Sequence, residues 1–106
     1  LLMAQFAVHR NPDPEGATWA PYLLVLQNDL LSHLGTVVVA PLVDEGAFGT
    51  PARILNPVFT VEHRRVVLST AELAGISRRS LGEEVTSLAT ERAAIMTAWD
   101  LLFSGI

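Results

Sequence analysis

Residues 95–106 limit the structure and function of this chain more than any other segment does, because a helix formed by them would be apolar on nearly every side. Apolar residues recur at helical spacing from Leu88 onward, and Gly105 is the residue type that commonly follows a helix end. One face of such a helix can cover a sheet, but an apolar face left at the surface indicates a partner. The segment therefore predicts an interaction protein rather than an enzyme.

One stripe of this helix is predicted to face the core and consists of Leu88, Ile95, Trp99 and Leu102. Met96 and Phe103 fall partly off that stripe. Burial of one such side chain is worth about 1.5–3 kcal/mol, so leaving two of them in water is unfavourable. A homodimer that seats the two helices near its two-fold axis would cover them. We therefore predict a dimer interface at Met96, Leu102 and Phe103.

The remainder of the chain has the pattern of short strands joined by turns. Apolar or β-branched runs of strand length occupy residues 5–10, 22–27, 36–42, 54–61 and 64–69. Residues 73–85 are mixed in character, and we expect most of them to form one short strand. Glu62-His63 has the spacing of a tight hairpin turn, and residues 44–53 read as an exposed excursion. The pattern predicts an α+β fold that is mostly β: a strongly bent antiparallel sheet or small barrel with one C-terminal helix. We expect one domain over residues 3–106, with Leu1-Leu2 as a cloning remnant or an extended start.

Composition excludes several classes of function. The 106 residues carry 7 basic and 11 acidic side chains, which disfavours direct binding of nucleic acid through its phosphates. No apolar run reaches the ~18 residues of a membrane span. The chain has no cysteine, which removes disulfides and thiolate chemistry and fits a cytoplasmic protein.

Candidate catalytic or metal-binding groups are few. His9, His33 and His63 lie in different segments, whereas a zinc site needs three or four converging ligands, so we expect all three to be surface or half-buried histidines. Glu83-Glu84 could form a carboxylate pair, but negative charge just ahead of a helix is also favoured by the helix dipole. Glu62-His63-Arg64-Arg65 could serve a ribonuclease as base and phosphate clamp, although such a run is also typical of a hairpin tip. We expect no catalytic residues, no metal and no cofactor.

Several segments in fixed order resemble the CcdB family of toxins from toxin–antitoxin modules, whose members poison DNA gyrase. The resemblance covers essentially the whole chain and rests on Gln5-Phe6, residues 25–31, Ala40-Pro41-Leu42, residues 55–58, Leu81-Gly82-Glu83-Glu84-Val85 and residues 101–106. It implies an SH3-like, strongly bent antiparallel sheet with a small side sheet and a C-terminal helix. It also implies a cytoplasmic, non-enzymatic homodimer that binds the DNA gyrase A subunit and inhibits topoisomerase action. A CcdA-like antitoxin is the implied further partner, which would bind through a disordered segment and take part in transcription regulation.

The resemblance also assigns a gyrase-binding surface. Its residues are Leu30, Leu31, Asp100, Phe103, Ser104, Gly105 and Ile106. Gyrase poisons of this family end in Trp-Gly-Ile, where this chain has Ser104 in place of the tryptophan and Asp100 in place of an asparagine. Because a large aromatic anchor often dominates an interface, the serine predicts weakened gyrase poisoning. Trp99 lies five residues earlier, roughly 140° round the helix, and is predicted to face the core.

Two other functions stay open from the sequence. One is a MazF-type endoribonuclease, for which the net charge of −4 is unfavourable. The other is a homologue with impaired toxicity that acts mainly through antitoxin binding.

Overall fold

In the computed structural model, which describes residues 4–105, seven short strands form one antiparallel sheet. The strands are β1 (Ala7–Arg10), β2 (Tyr22–Val25), β3 (Thr36–Asp44), β4 (Val58–Val61), β5 (Arg64–Leu68), β6 (Ala74–Ser77) and β7 (Glu84–Ser87). Their order is β4-β5-β3-β2-β1-β7, and β6 pairs with the first half of β3 while β5 pairs with its end. The predicted bent antiparallel sheet with one C-terminal helix is confirmed, and β6 forms a branch of that sheet.

The helices are α1 (Glu45–Phe48) and α2 (Arg92–Ser104). Single 3₁₀ turns occupy Gly16–Thr18, Asp29–Leu31, Thr70–Glu72, Arg78–Ser80 and Ala89–Glu91. The predicted C-terminal helix therefore begins later than expected, since a 3₁₀ turn precedes it. Ser87 accepts a hydrogen bond from the Ala89 amide at 3.1 Å, at the start of this turn and not at the start of α2. Gly105 ends α2 in a left-handed conformation with φ of 74°, as its position predicted.

Residues 73–85 differ from the prediction of one short strand. They contribute β6 and the beginning of β7, separated by the turn at Arg78–Ser80. Gly82 lies ahead of β7 and against β1: a Cβ atom there would be 2.5 Å from the Arg10 carbonyl oxygen. Only glycine permits this approach, which allows the Gly82 amide to donate to that oxygen at 3.1 Å.

The β4–β5 hairpin closes on Glu62 and His63, as the spacing predicted. Their φ angles are 51° and 64°, which are the left-handed values that a two-residue type I′ turn requires. Neither residue is the glycine or asparagine that normally marks such a turn, so the turn type was not evident from the sequence.

The core lies between the concave face of the sheet and α2. Leu24, Leu42 and Leu68 from the sheet are fully buried, as are Ile95 and Ala98 from the helix. Leu88 is also buried, which confirms that part of the predicted stripe, whereas Leu102 is half-buried. The helix therefore buries one narrow face and leaves its flanks available.

Candidate protein-binding site

Three of the residues predicted to contact a partner are large, apolar and exposed. Leu30 is 84% exposed, Leu31 44% and Phe103 61%. The two leucines lie in the 3₁₀ turn that follows β2, and Phe103 lies in the last turn of α2. Exposed apolar groups that lie near one another indicate a surface for binding protein.

A groove of about 350 Å³ separates the Asp29–Leu31 turn from α2. Leu31 lies on one side of this groove, and Met96 and Trp99 lie on the helix side. Buried Leu26 and Ile95 also line it, so the groove reaches down to the core. This arrangement places apolar side chains of the turn and of the helix flank around one groove.

Trp99 joins the groove to the helix end. Its ring lies 4.5 Å from that of Phe103, centroid to centroid, at an interplanar angle of 49°. It is half-buried and packs against the core on one side. The prediction that Trp99 faces the core is thus only half right, because α2 lies across the sheet and exposes the flank that carries Trp99, Met96 and Phe103. Sequence reasoning missed this groove role.

Hydrogen bonds hold the turn that carries the two leucines. Asn28 accepts the Leu30 amide at 2.9 Å, which caps the turn. Gln27 donates its amide nitrogen to the Leu31 carbonyl at 3.1 Å. The Gln5 backbone amide donates to the Asp29 carboxylate at 2.6 Å. The exposed leucines therefore stand on a well-supported backbone.

The start of α2 contacts the same region through Arg92. Its guanidinium donates to the Gln5 side-chain oxygen at 3.3 Å and lies 5.6 Å from the centre of the Phe6 ring. Phe6 and Gln5 both line the groove. Arg92 thus links the helix to the segment that also binds the turn.

The predicted tail residues occupy the end of α2. Asp100 and Ser104 are exposed, and the Ser104 hydroxyl donates to the Asp100 carbonyl at 2.7 Å. On an ideal helix Ser104 is turned about 100° from Phe103, away from the groove side. Gly105 is exposed. Ile106 lies outside the described residues, and dimer contacts by Met96, Leu102 and Phe103 stay a prediction.

A charged cluster is centred on Arg10 in β1. Arg10 donates to both oxygens of Glu62 at 2.9 and 3.1 Å and to Glu83 at 3.0 Å. The Tyr22 hydroxyl donates to Glu62 at 2.6 Å. Hydrogen bonds from Arg10 and then from Tyr22 hold the pKa of Glu62 below its usual range. Burial, followed by the bond to Glu62, raises the pKa of Tyr22.

The arginines of the hairpin are also paired. Arg64 donates to Asp44 at 3.3 Å, and Arg65 donates to both oxygens of Glu45 at 3.0 and 3.2 Å. The bond to Glu45 raises the pKa of Arg65. These guanidinium groups are therefore partly neutralised by carboxylates, which makes them poor clamps for phosphate.

The histidines do not converge. His9 is buried, with Nδ1 2.9 Å from the Gly82 carbonyl oxygen and Nε2 4.0 Å from Glu84. It is not the surface or half-buried residue expected, because β2 and β7 flank β1 on both sides. His33 and His63 are exposed on separate turns. Within residues 4–105, no three His, Cys, Asp or Glu side chains lie close enough together to hold a metal ion.

Comparison with models of known protein families identifies the family to which this chain belongs. The family model described as CcdB protein matches residues 5–105. The chain belongs to the CcdB family. This confirms the resemblance drawn from the motifs and makes the chain a toxin-type component of a toxin–antitoxin system. Curated protein sequences contain no significant match.

Solved structures with the same fold include mycobacterial toxins. An endoribonuclease in complex with its cognate antitoxin, from a mycobacterial species, is 15% identical with a TM-score of 0.73, over 92% of this chain and 91% of the other. The Mycobacterium tuberculosis toxin MazF-mt6 is 19% identical with a TM-score of 0.68, over 92% and 95%. A further mycobacterial endoribonuclease is 13% identical with a TM-score of 0.71, over 94% and 89%. At these identities the likeness establishes the fold alone.

In the part of the chain that the structure describes, no helix is long and apolar enough to cross a bilayer.

Proposed function

We propose that this CcdB-family chain is a non-enzymatic, cytoplasmic toxin that acts as a homodimer by binding the DNA gyrase A subunit. The surface we assign to gyrase consists of Leu30 and Leu31 on the turn after β2 and the end of α2 around Phe103. The observation that carries the proposal is the exposure of these three apolar side chains beside the groove that Trp99 and Leu31 line. Desolvation of large apolar and aromatic groups is the usual source of affinity at protein interfaces.

Ser104 affects how tightly gyrase binds and not which surface gyrase contacts. Ser104 uses its hydroxyl within α2, so it offers a partner little contact area. The Trp99–Phe103 pair supplies an aromatic surface close by. We therefore propose that gyrase binding is retained but weaker than in family members that carry a tail tryptophan.

The dimer interface that we propose includes Met96, Leu102 and Phe103. Met96 lines the groove, Leu102 is half-buried and Phe103 is largely exposed. A second copy would remove apolar area from water on this flank of α2.

A cognate CcdA-like antitoxin is the other partner that we propose. Family membership supports this, as does the likeness to an endoribonuclease that was solved with its cognate antitoxin. A homologue of low toxicity could act through this partner alone and regulate transcription with it.

Endoribonuclease activity is the second candidate, and the shared fold with MazF-type toxins favours it. The ion pairs of Arg64 and Arg65 weigh against it, since each of these candidate phosphate clamps already contacts a carboxylate. Cleavage of RNA that persists in chelator and disappears in His63→Ala or Arg64→Ala would support this alternative and overturn the non-enzymatic assignment.

The test of the main proposal is calorimetric titration of the host's gyrase A subunit with the natural chain and with Leu31→Ser. Ile54→Ser is the matched control, because Ile54 is also exposed but lies against the opposite flank of α2. We expect Leu31→Ser to weaken binding about tenfold or more and Ile54→Ser to leave it unchanged. Absence of gyrase binding by the natural chain, with antitoxin binding intact, would move the function to the antitoxin alone.

A further inference from the structure

We infer that Arg78 is a positioning residue for partner binding: it clamps the turn that presents Leu30 and Leu31. The inference rests on the proposed function only for the identity of the partner. Arg78 itself is half-buried and begins the 3₁₀ turn after β6, and the assigned contact residues are Leu30 and Leu31.

The clamp consists of hydrogen bonds from one residue to three carbonyls of the turn region. The Arg78 guanidinium donates through Nε to Leu34 O at 2.5 Å and through Nη2 to Leu31 O at 3.1 Å. Its backbone amide donates to Gly35 O at 3.2 Å. A planar guanidinium suits this task, because its donors are fixed in one plane and stay charged at any physiological pH.

The clamp is tertiary, as is the hydrogen bond from the Gln5 amide to the Asp29 carboxylate, whereas the other supports of the turn are local. Asn28 and Gln27 hold the turn from positions within four residues of it. Arg78 reaches it across 44 to 47 residues, from the strand pair in which β6 lies beside the start of β3. It therefore fixes where the turn lies on the fold and not only its local shape.

This position matters because Leu30 makes little contact with the rest of the chain. Its side chain is 84% exposed, so packing does not hold it and its position depends on the backbone of the turn. Ordering a loop at the moment of binding costs free energy that lowers affinity. A turn that is already held at Leu31 and Leu34 avoids much of that cost, which makes Arg78 a determinant of affinity without contact.

The experiment compares Arg78→Ala with Arg79→Ala, a change in the exposed neighbouring arginine. Amide hydrogen exchange is measured first on the natural, full chain. The amides of Leu31, Ser32 and Leu34 are hydrogen-bonded within the turn and report on its order. We expect their exchange to quicken about tenfold or more in Arg78→Ala, with core amides unaffected, and to stay unchanged in Arg79→Ala. Arg78→Lys should restore part of the protection, because an ammonium group can donate to the same carbonyls.

The second readout is affinity for the gyrase A subunit in a double-mutant cycle. Arg78→Ala should weaken binding about tenfold in the natural chain. In a Leu30→Ala/Leu31→Ala background the same change should alter affinity by no more than about twofold, since Arg78 acts through those leucines. An equal loss in both backgrounds would overturn the inference. So would unchanged exchange in Arg78→Ala, whether or not gyrase binds. If the natural chain binds no gyrase but the turn loosens in Arg78→Ala alone, the proposed partner is wrong and the clamp stands.

Discussion

Two regions of this molecule differ in whether their side chains find partners within the chain. Around Arg10 the charged and polar side chains bond to one another: Glu62, Glu83 and Tyr22 all take part in one network. Around the Asp29–Leu31 turn and α2, backbone groups are well satisfied but large apolar side chains are left in water. A region that satisfies itself contributes to stability, whereas a region that leaves apolar surface exposed is prepared for a partner. We therefore expect changes in the first region to alter stability and changes in the second to alter affinity.

The largest expected difference lies between the two faces of α2 itself. Ile95→Ala should lower the free energy of unfolding by about 2–5 kcal/mol, because it empties a fully buried position. Phe103→Ala should lower it by about 1 kcal/mol or less, since the ring is mostly exposed and only stacks on Trp99. Chemical denaturation of both variants measures this. Similar losses of stability for the two variants at every protein concentration would break the comparison, whereas a loss in Phe103→Ala that depends on concentration would report the proposed dimer interface.

Ser104, at the end of α2, tests whether added aromatic area in the exposed apolar region raises affinity for the partner. Ser104→Trp adds aromatic area at the end of α2 and should raise affinity for the gyrase A subunit about tenfold. Stability should change little, because the position is exposed. Calorimetry of the natural chain and the variant gives both dissociation constants. Equal affinities would mean that the Trp99–Phe103 surface already supplies the aromatic anchor.

On the charged side, Tyr22→Phe removes one hydrogen bond and keeps the buried ring. We expect a loss of about 1 kcal/mol in the free energy of unfolding, because Glu62 retains its bonds to Arg10. Partner affinity should not change. A weaker complex at full stability would show that the charged network also reaches the binding surface.

The smallest expected effect is a dependence of stability on pH that resides in Glu62. Its pKa is lowered in the folded state by Arg10 and Tyr22, so its contribution is present above the ordinary glutamate range and is lost as pH falls through the folded-state pKa. Thermal unfolding of the natural chain and Glu62→Gln should therefore differ at neutral pH and converge in acid. Glu15→Gln, at an exposed carboxylate in the first loop, is the control and should follow the natural chain at every pH. Curves for Glu62→Gln that stay parallel to those of the natural chain would contradict the assignment.

Much of the fold could be predicted from the chain because its signals are local. Alternating or continuous apolar runs predicted the strands, and apolar residues at helical spacing followed by Gly105 predicted α2. The segment over residues 73–85 was less tractable, because its pairing partners β1 and β3 lie far away in sequence. Both strands there are short and largely exposed, so periodicity carried little information about them.

By itself the sequence determined the CcdB family, the mostly β class with a terminal helix, and the excess of apolar groups near the C-terminus. These properties follow from residue order and composition, which need no knowledge of distant contacts. The tertiary structure decided that His9 is buried, that Trp99 lines a groove beside Leu31, and that Arg78 holds the turn. Each depends on segments that are tens of residues apart and are brought together by strand pairing and helix packing, which no local pattern encodes.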